Sequence, residues 1–206
     1  MGTTISNFLN SYFYNFDNAG IVFMHKLAEL NNPIINGINI FFSMVGNKCI
    51  LFLIIALIMC YFKKTRKCGI AIILSIAAAF VINSLILKKI IMRPRPYSVN
   101  DLYLLWYEMV GSRGSSSYSF PSGHVAGLTA GLTALCMYYK KFLYIIMSII
   151  LTILMSMSRV FFVVHYPTDC IAGAIVGVIC AIITVTIFDK YTNLVYNTIE
   201  NKILRR

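Results

Sequence analysis

Ser158-Arg159-Val160-Phe161-Phe162-Val163-Val164-His165-Tyr166-Pro167-Thr168-Asp169 joins two long apolar segments and sets an arginine, a histidine and an aspartate at their junction. Two earlier stretches sit at junctions of the same kind, Lys88 to Pro96 and Pro121-Ser122-Gly123-His124. Arg159 falls inside an apolar segment, and a charged residue at membrane depth is costly and usually marks a function. Working outward from these stretches, the chain reads as apolar helices whose ionisable residues gather at their ends.

Composition agrees. Of the 206 residues, 59% are hydrophobic and 12% charged, with mean hydropathy +0.77. A soluble domain carries roughly 25% charged residues. The expected class is all-α: a polytopic helical membrane bundle of five to six transmembrane helices in one domain, residues 1–206. Met1 to Asn10 lacks the basic start, apolar run and small-residue site of a cleavable leader, so insertion is expected to rely on internal spans.

The net charge of +11 does not point to nucleic acid. Lys63, Lys64, Arg66 and Lys67 lie between two apolar spans, Lys140 and Lys141 between two more, and Lys190, Lys202, Arg205 and Arg206 follow the last. Cytoplasmic loops carry such an excess, and anionic lipid headgroups are its expected partners. No obligate protein partner is evident. Cys49, Cys60, Cys68, Cys136, Cys170 and Cys180 show no C-x-x-C spacing and read as small apolar residues, neither metal ligands nor disulfides.

A span needs about 20 predominantly apolar residues. Five candidates result: 43–62, 69–91, 122–139, 142–164 and 168–188, together a transmembrane core over 43–188. Residues 1–33, aromatic but broken by asparagines, suit an interfacial segment, with His25 as a surface or packing residue without a chemical role. Residues 189–206 suit a cytoplasmic tail, and their apolar spacing predicts a short amphipathic helix. All five prolines stand at segment edges, and Pro121 and Pro167 occupy the position where a helix start tolerates a missing N–H. Gly123, Gly127 and Gly131, then Gly173 and Gly177, repeat at four-residue spacing and predict close helix packing. The loop 97–120 is long enough to suggest a lid, with Leu102 to Tyr107 on the membrane surface and a flexible Gly/Ser-rich run from Gly111 to Ser119. With the basic clusters inside, all three ionisable stretches fall on the extracytoplasmic side.

Taken singly, Lys88 can snorkel to headgroups and His124 or His165 can be packing histidines. Together they suit one chemistry. Phosphate spreads its charge over several oxygens and needs several fixed cations, which Lys88, Arg95 and Arg159 supply. Ser122 and Gly123 follow Pro121 at a helix start, where free N–H groups attract anions, and His124 shares that first turn. His165 and Asp169 stand four apart, so the carboxylate can fix the tautomer and leave the other ring nitrogen as a nucleophile.

These residues resemble the signature of the type 2 phosphatidic acid phosphatases, which share their site design with vanadium haloperoxidases. The signature runs K-x6-R-P, P-S-G-H, S-R-x5-H-x3-D. This chain reads Lys88 to Arg95-Pro96, Pro121 to His124, and Ser158-Arg159 to His165 and Asp169, every position in order. The resemblance implies a phosphohistidine at His165 oriented by Asp169, acid–base work by His124, and phosphate held by Lys88, Arg95, Arg159, Ser122 and the Gly123 amide, with no metal or other cofactor. It implies hydrolysis of a membrane lipid phosphate, with undecaprenyl diphosphate first and phosphatidylglycerophosphate or phosphatidic acid as alternatives. Arg93 lies outside the signature as a possible helper. Rival classes are an anion or lipid transporter, disfavoured because no internal repeat is evident, and a non-catalytic lipid-binding relative, disfavoured by the intact signature.

Overall fold

The computed structural model describes residues 3–46, 49–111 and 117–204, with side chains described as far as Leu194. Every regular element among them is helical. Thr3 caps α1 (Thr4–Tyr12) by accepting from the Ser6 N–H, and its hydroxyl donates to the Ile91 carbonyl, 2.6 Å away. α2 (Tyr14–Glu29) follows directly. α3 (Pro33–Val45) opens with Pro33 in its first turn and Asn32 as its cap, two features that each satisfy or remove an orphan N–H. α4 (Ile50–Tyr61) leads to the basic turn and α5 (Arg66–Phe80). α5 widens into a π-helical segment, Val81–Leu87, before the short α6 (Lys88–Ile91). α7 (Asp101–Met109) lies in the long connection, capped by Asn100. α8 (Gly123–Tyr139), α9 (Phe142–Phe161) and α10 (Pro167–Leu204) complete the bundle.

α8 packs against α5, α9 and α10, and α5 packs on α4 and α10. Val125 through Leu132 of α8 are buried without a break, whereas Ile54, Ile58, Ile146, Ile150, Ile175 and Ile182 of the surrounding helices are exposed. In water such an apolar surface would be a liability; facing lipid it is the expected exterior. Among the described residues, three helical stretches are long and apolar enough to cross a membrane: Arg66–Ser98, Phe142–Phe161 and Pro167–Leu194. α3 and α4 add a fourth if read as one span bent by 56°. The chain is a multi-pass membrane protein. At 17 residues, α8 is about 26 Å long, somewhat short of the ~30 Å hydrocarbon core, and it is shielded by its neighbours.

Two elements differ from the sequence reading. The stretch expected as one span from 43 to 62 is broken between α3 and α4. The last span and the tail are one helix of 38 residues. No glycine or proline follows Gly177, so nothing stops that helix at residue 188. The run 112–116 of the Gly/Ser-rich loop lies outside the described residues.

At one end of the bundle, Asp189 of α10 accepts from Tyr138 of α8 at 2.6 Å and pairs with Lys67 of α5 at 3.0 Å. The basic turns 63–67 and 140–141 therefore share that end. The starts of α8 and α10 and the end of α9 lie at the other.

Candidate active site

The start of α8 meets the start of α10 because Gly173 has no side chain. A Cβ there would stand 2.6 Å from the Ser122 carbonyl oxygen, and one at Gly177 would crowd the Ala126 carbonyl. This approach lets the Ser122 N–H donate to the Asp169 carbonyl at 2.9 Å. The segment 121–124 is held from its other side by Asn83 of the π-helical segment, whose amide donates to the Pro121 carbonyl at 3.2 Å. π-helical turns recur at functional positions, and here one aims a polar side chain at the start of α8. A Cβ added at Gly123 would lie 3.3 Å from that amide nitrogen.

His165 sits in the turn between α9 and α10, where Val163 takes a left-handed φ of 52°. Asp169 is fully buried. Its Oδ2 accepts from the Tyr166 N–H at 2.9 Å and faces His165 Nδ1 at 3.4 Å. That separation is long for a hydrogen bond, as pairs of this kind often are before substrate tightens them. Burial holds the His165 imidazole well below its usual titration range, and Arg95, Lys88 and Arg159 add to the effect in that order. The ring is thus neutral at neutral pH, the form in which a nitrogen lone pair is free to attack. His124, half-buried in the first turn of α8, lies in the field of Arg159, His165, Lys88 and Arg95. One positive cluster encloses both histidines.

The three signature cations are each anchored. Lys88 Nζ donates to the Tyr118 carbonyl at 2.7 Å and reaches Ser117 Oγ at 3.3 Å. Arg95 donates through Nε to the Ser117 carbonyl and through Nη1 to the Val164 carbonyl, both at 2.7 Å. Arg159 Nη2 meets Ser158 Oγ at 3.1 Å, and that hydroxyl donates to the Asn39 carbonyl of α3 at 2.7 Å. Lys88 and Arg95 thereby clamp residues 117–118 beside the turn that carries His165. All eight residues read from the signature lie at this one end of the bundle. What they can do together is neutralise an anion and present a nucleophile to it.

Arg93, outside the signature, is the most constrained cation of the group. Its Nε donates to Asn10 at 2.8 Å, Nη1 to Thr168 at 2.8 Å and Asp169 at 2.7 Å, and Nη2 to Asp17 at 2.7 Å. The guanidinium also lies 3.8 Å from the centre of the Tyr166 ring. Asp17 and Asn10 come from the N-terminal segment, to which the sequence reading gave no part in the site. The available signal was an aspartate inside an aromatic run of a chain with only seven acidic residues. α7 rests on the same segment: Trp106 stacks on His25 with ring centres 3.8 Å apart, and Tyr103 donates to Asn18. Elsewhere, an apolar groove of about 510 Å³ runs between α2, α9 and α10, bordered by Met24, Val160, Pro167 and Ala174, and contains none of the eight signature residues.

Comparison with known proteins gives consistent neighbours. The family model described as the PAP2 superfamily matches residues 68–193. An undecaprenyl-diphosphatase of Sulfolobus acidocaldarius is 33% identical over 156 residues, 75% of this chain and 71% of that protein. A lipid A 1-phosphatase of Rhizobium johnstonii is 32% identical over 106 residues, 51% of this chain and 42% of that protein. Among solved structures, a transmembrane PAP2-type phosphatidylglycerolphosphate phosphatase from Bacillus subtilis aligns with TM-score 0.61 at 24% identity, covering 90% of this chain and 92% of that one. Aquifex aeolicus LpxE aligns with TM-score 0.59 at 23% identity, covering 75% and 87%. Both structures share the fold.

Proposed function

The chain belongs to the PAP2 superfamily, and from that premise we infer that it hydrolyses a membrane lipid phosphate through a phosphohistidine on His165. The enzyme is a lipid phosphatase; the route and the substrate are the inference. The observation that carries it is the buried His165, with Asp169 behind its Nδ1 and Lys88, Arg95 and Arg159 around it.

In the first step the free ring nitrogen of His165 attacks phosphorus, and the bond from phosphorus to the leaving oxygen breaks. His124, which takes up a proton once the bound phosphate anion offsets the surrounding cations, gives that proton to the leaving oxygen. Asp169 offsets the positive charge that develops on His165. In the second step neutral His124 takes a proton from water, the hydroxide bonds to phosphorus, and the nitrogen–phosphorus bond breaks. Free phosphate leaves and both histidines return to their starting states. Lys88, Arg95, Arg159, Ser122 and the Gly123 N–H hold the non-bridging oxygens as charge redistributes, the work that a metal would otherwise do.

The favoured substrate is undecaprenyl diphosphate, converted to undecaprenyl phosphate. Its support is the Sulfolobus relative, whose similarity extends over three quarters of this chain. The charge bias supports a site on the extracytoplasmic face of the cell membrane, opposite the basic turns. The test is phosphate release by detergent-purified protein with EDTA present. Undecaprenyl diphosphate, phosphatidylglycerophosphate and phosphatidic acid would each be assayed beside a His165→Ala control. Release that survives EDTA and vanishes in the control is expected. A control equal to the wild type, or silence on all three lipids, would remove the reading.

A further inference from the structure

We propose that Asp17 and Arg93 are positioning residues of the catalytic pair: Asp17, on the N-terminal helix α2, holds Arg93 against Asp169 and so fixes His165. The proposal rests on the role given to His165 above, and it assigns a part of the machinery to Asp17, which lies outside the stretch 68–193 that the superfamily model matches, and to Arg93, which lies within that stretch but outside the signature.

The geometry is a relay of buried charges. Arg93 is 1% exposed, Asp17 2% and Asp169 0%. The guanidinium bridges the two carboxylates with 2.7 Å contacts to each. Buried ions survive only when paired and fully hydrogen-bonded, and this trio meets that condition through Thr168. The Thr168 N–H donates to Asp17 Oδ1 at 3.0 Å and its hydroxyl to Asp17 Oδ2 at 2.8 Å, while the same hydroxyl accepts from Arg93. Asp17 therefore also caps the start of α10 from another helix, the end where a carboxylate is favoured. Gly20, one turn along α2, makes the approach possible, since a Cβ there would stand 2.5 Å from the Pro167 ring.

The consequence for chemistry follows from the two oxygens of Asp169. Oδ1 is held by Arg93, and Oδ2 faces His165. Rotating the carboxylate to follow a displaced Arg93 would swing Oδ2 away from the ring. Charge matters as well. One guanidinium between two carboxylates leaves one net negative charge behind His165, against Lys88 and Arg95, Arg159 of α9 and His124 of α8 in front of it. Without Asp17 that negative charge is gone, and the positive charge developing on His165 loses its counterweight.

The experiment uses the full-length protein in detergent with undecaprenyl diphosphate and dioleoyl phosphatidic acid as probes. Asp17→Asn, Asp17→Glu and Arg93→Lys are compared with wild type and His165→Ala, each rate taken per folded protein by size-exclusion and thermal melting. Asp17→Asn is expected to lower kcat roughly 10- to 100-fold, the scale of an ångström-size misplacement. KM should change less than about twofold, since the phosphate contacts remain. The acid limb of kcat/KM should move to lower pH, because His165 becomes harder to protonate once the negative charge is removed. Asp17→Glu should recover part of the loss. Arg93→Lys keeps the charge but not the fork, and should lower kcat without the pH shift. Wild-type kcat and pH profile in Asp17→Asn, or wild-type kcat in Arg93→Lys, would overturn the proposal. So would a loss that only tracks the folded fraction, or failure of both variants to fold, which would make the network scaffold alone. If His165→Ala is inactive while Asp17→Asn behaves as wild type, this proposal falls by itself. If His165→Ala is active, the phosphohistidine reading falls with it.

Discussion

Gly173 lies so close to Ser122 that any side chain at that position would collide with the Ser122 carbonyl, 2.6 Å from the site of a Cβ. The atom in the way is backbone, so no rotamer change relieves it. Gly173→Val is expected to push α10 off α8 and cost about 1–3 kcal/mol of stability, the usual price of overpacking. Because the same displacement breaks the Ser122 N–H to Asp169 carbonyl bond, kcat should fall further than the folded fraction does. Thermal unfolding in detergent and phosphate release, measured on one preparation, separate the two.

His124 has different work in the two chemical steps. With an aryl phosphate, whose leaving group needs no proton, His124→Ala should still phosphorylate His165 but hydrolyse it slowly. Loss of a general base costs roughly 10²–10⁴ in rate. An acid-labile, alkali-stable phosphoryl group should therefore build up on the protein. Intact-mass measurement would show it in His124→Ala and not in the His124→Ala/His165→Ala double variant.

His165 also makes a pH prediction. Its pKa in the folded protein is held well below the ordinary value by burial and by Arg95, Lys88 and Arg159. The unfolded chain takes up that proton as pH falls below about 6.5, whereas the folded chain does not. The contribution of His165 to stability is therefore complete above that pH and is lost as pH falls through the window below it. Melting temperature against pH should fall less steeply on the acid side in His165→Gln than in wild type. For the same reason the acid limb of kcat/KM assigned to His165 should lie below 6.5.

Arg95 donates through two different nitrogens to two backbone carbonyls, Ser117 and Val164. Lysine cannot reproduce that fork. A charged hydrogen bond contributes about 1.5–3 kcal/mol. Arg95→Lys should accordingly weaken inhibition by orthophosphate roughly 10- to 100-fold. Unchanged inhibition would show that Arg95 only shapes the loop.

The fold, and the gathering of the candidate site residues at one end of the bundle, were legible in the sequence for physical reasons that can be named. Long apolar runs ending in lysines and prolines define membrane helices, and short polar motifs at their ends have few places to go but one another. The sequence reading located the starts of α8 and α10 through Pro121 and Pro167. It did not place the break between α3 and α4, although Gly46-Asn47-Lys48 interrupts the apolar run there, and it did not join the last span and the tail into the single helix α10. Asp17 and Asn83 were out of reach for a different reason. Their partners, Thr168 and Pro121, are separated from them by 151 and 38 residues. No local periodicity encodes such pairings. Arg93 was visible as a charge but not as a hub, because its role depends on which helices surround it.

The span between Asp17 and Thr168 also sets a timetable for biosynthesis. Asp17 leaves the ribosome well before Thr168, its partner at the start of α10. At roughly 5–20 residues per second, the 151 residues between them take on the order of 8–30 s to synthesise. Throughout that interval the aspartate has no assembled pocket to enter and must wait near the aqueous edge of the membrane. The phosphatase would then be silent until α10 is in place, so a nascent chain that lacks it could not attack lipids of the membrane through which it is being inserted.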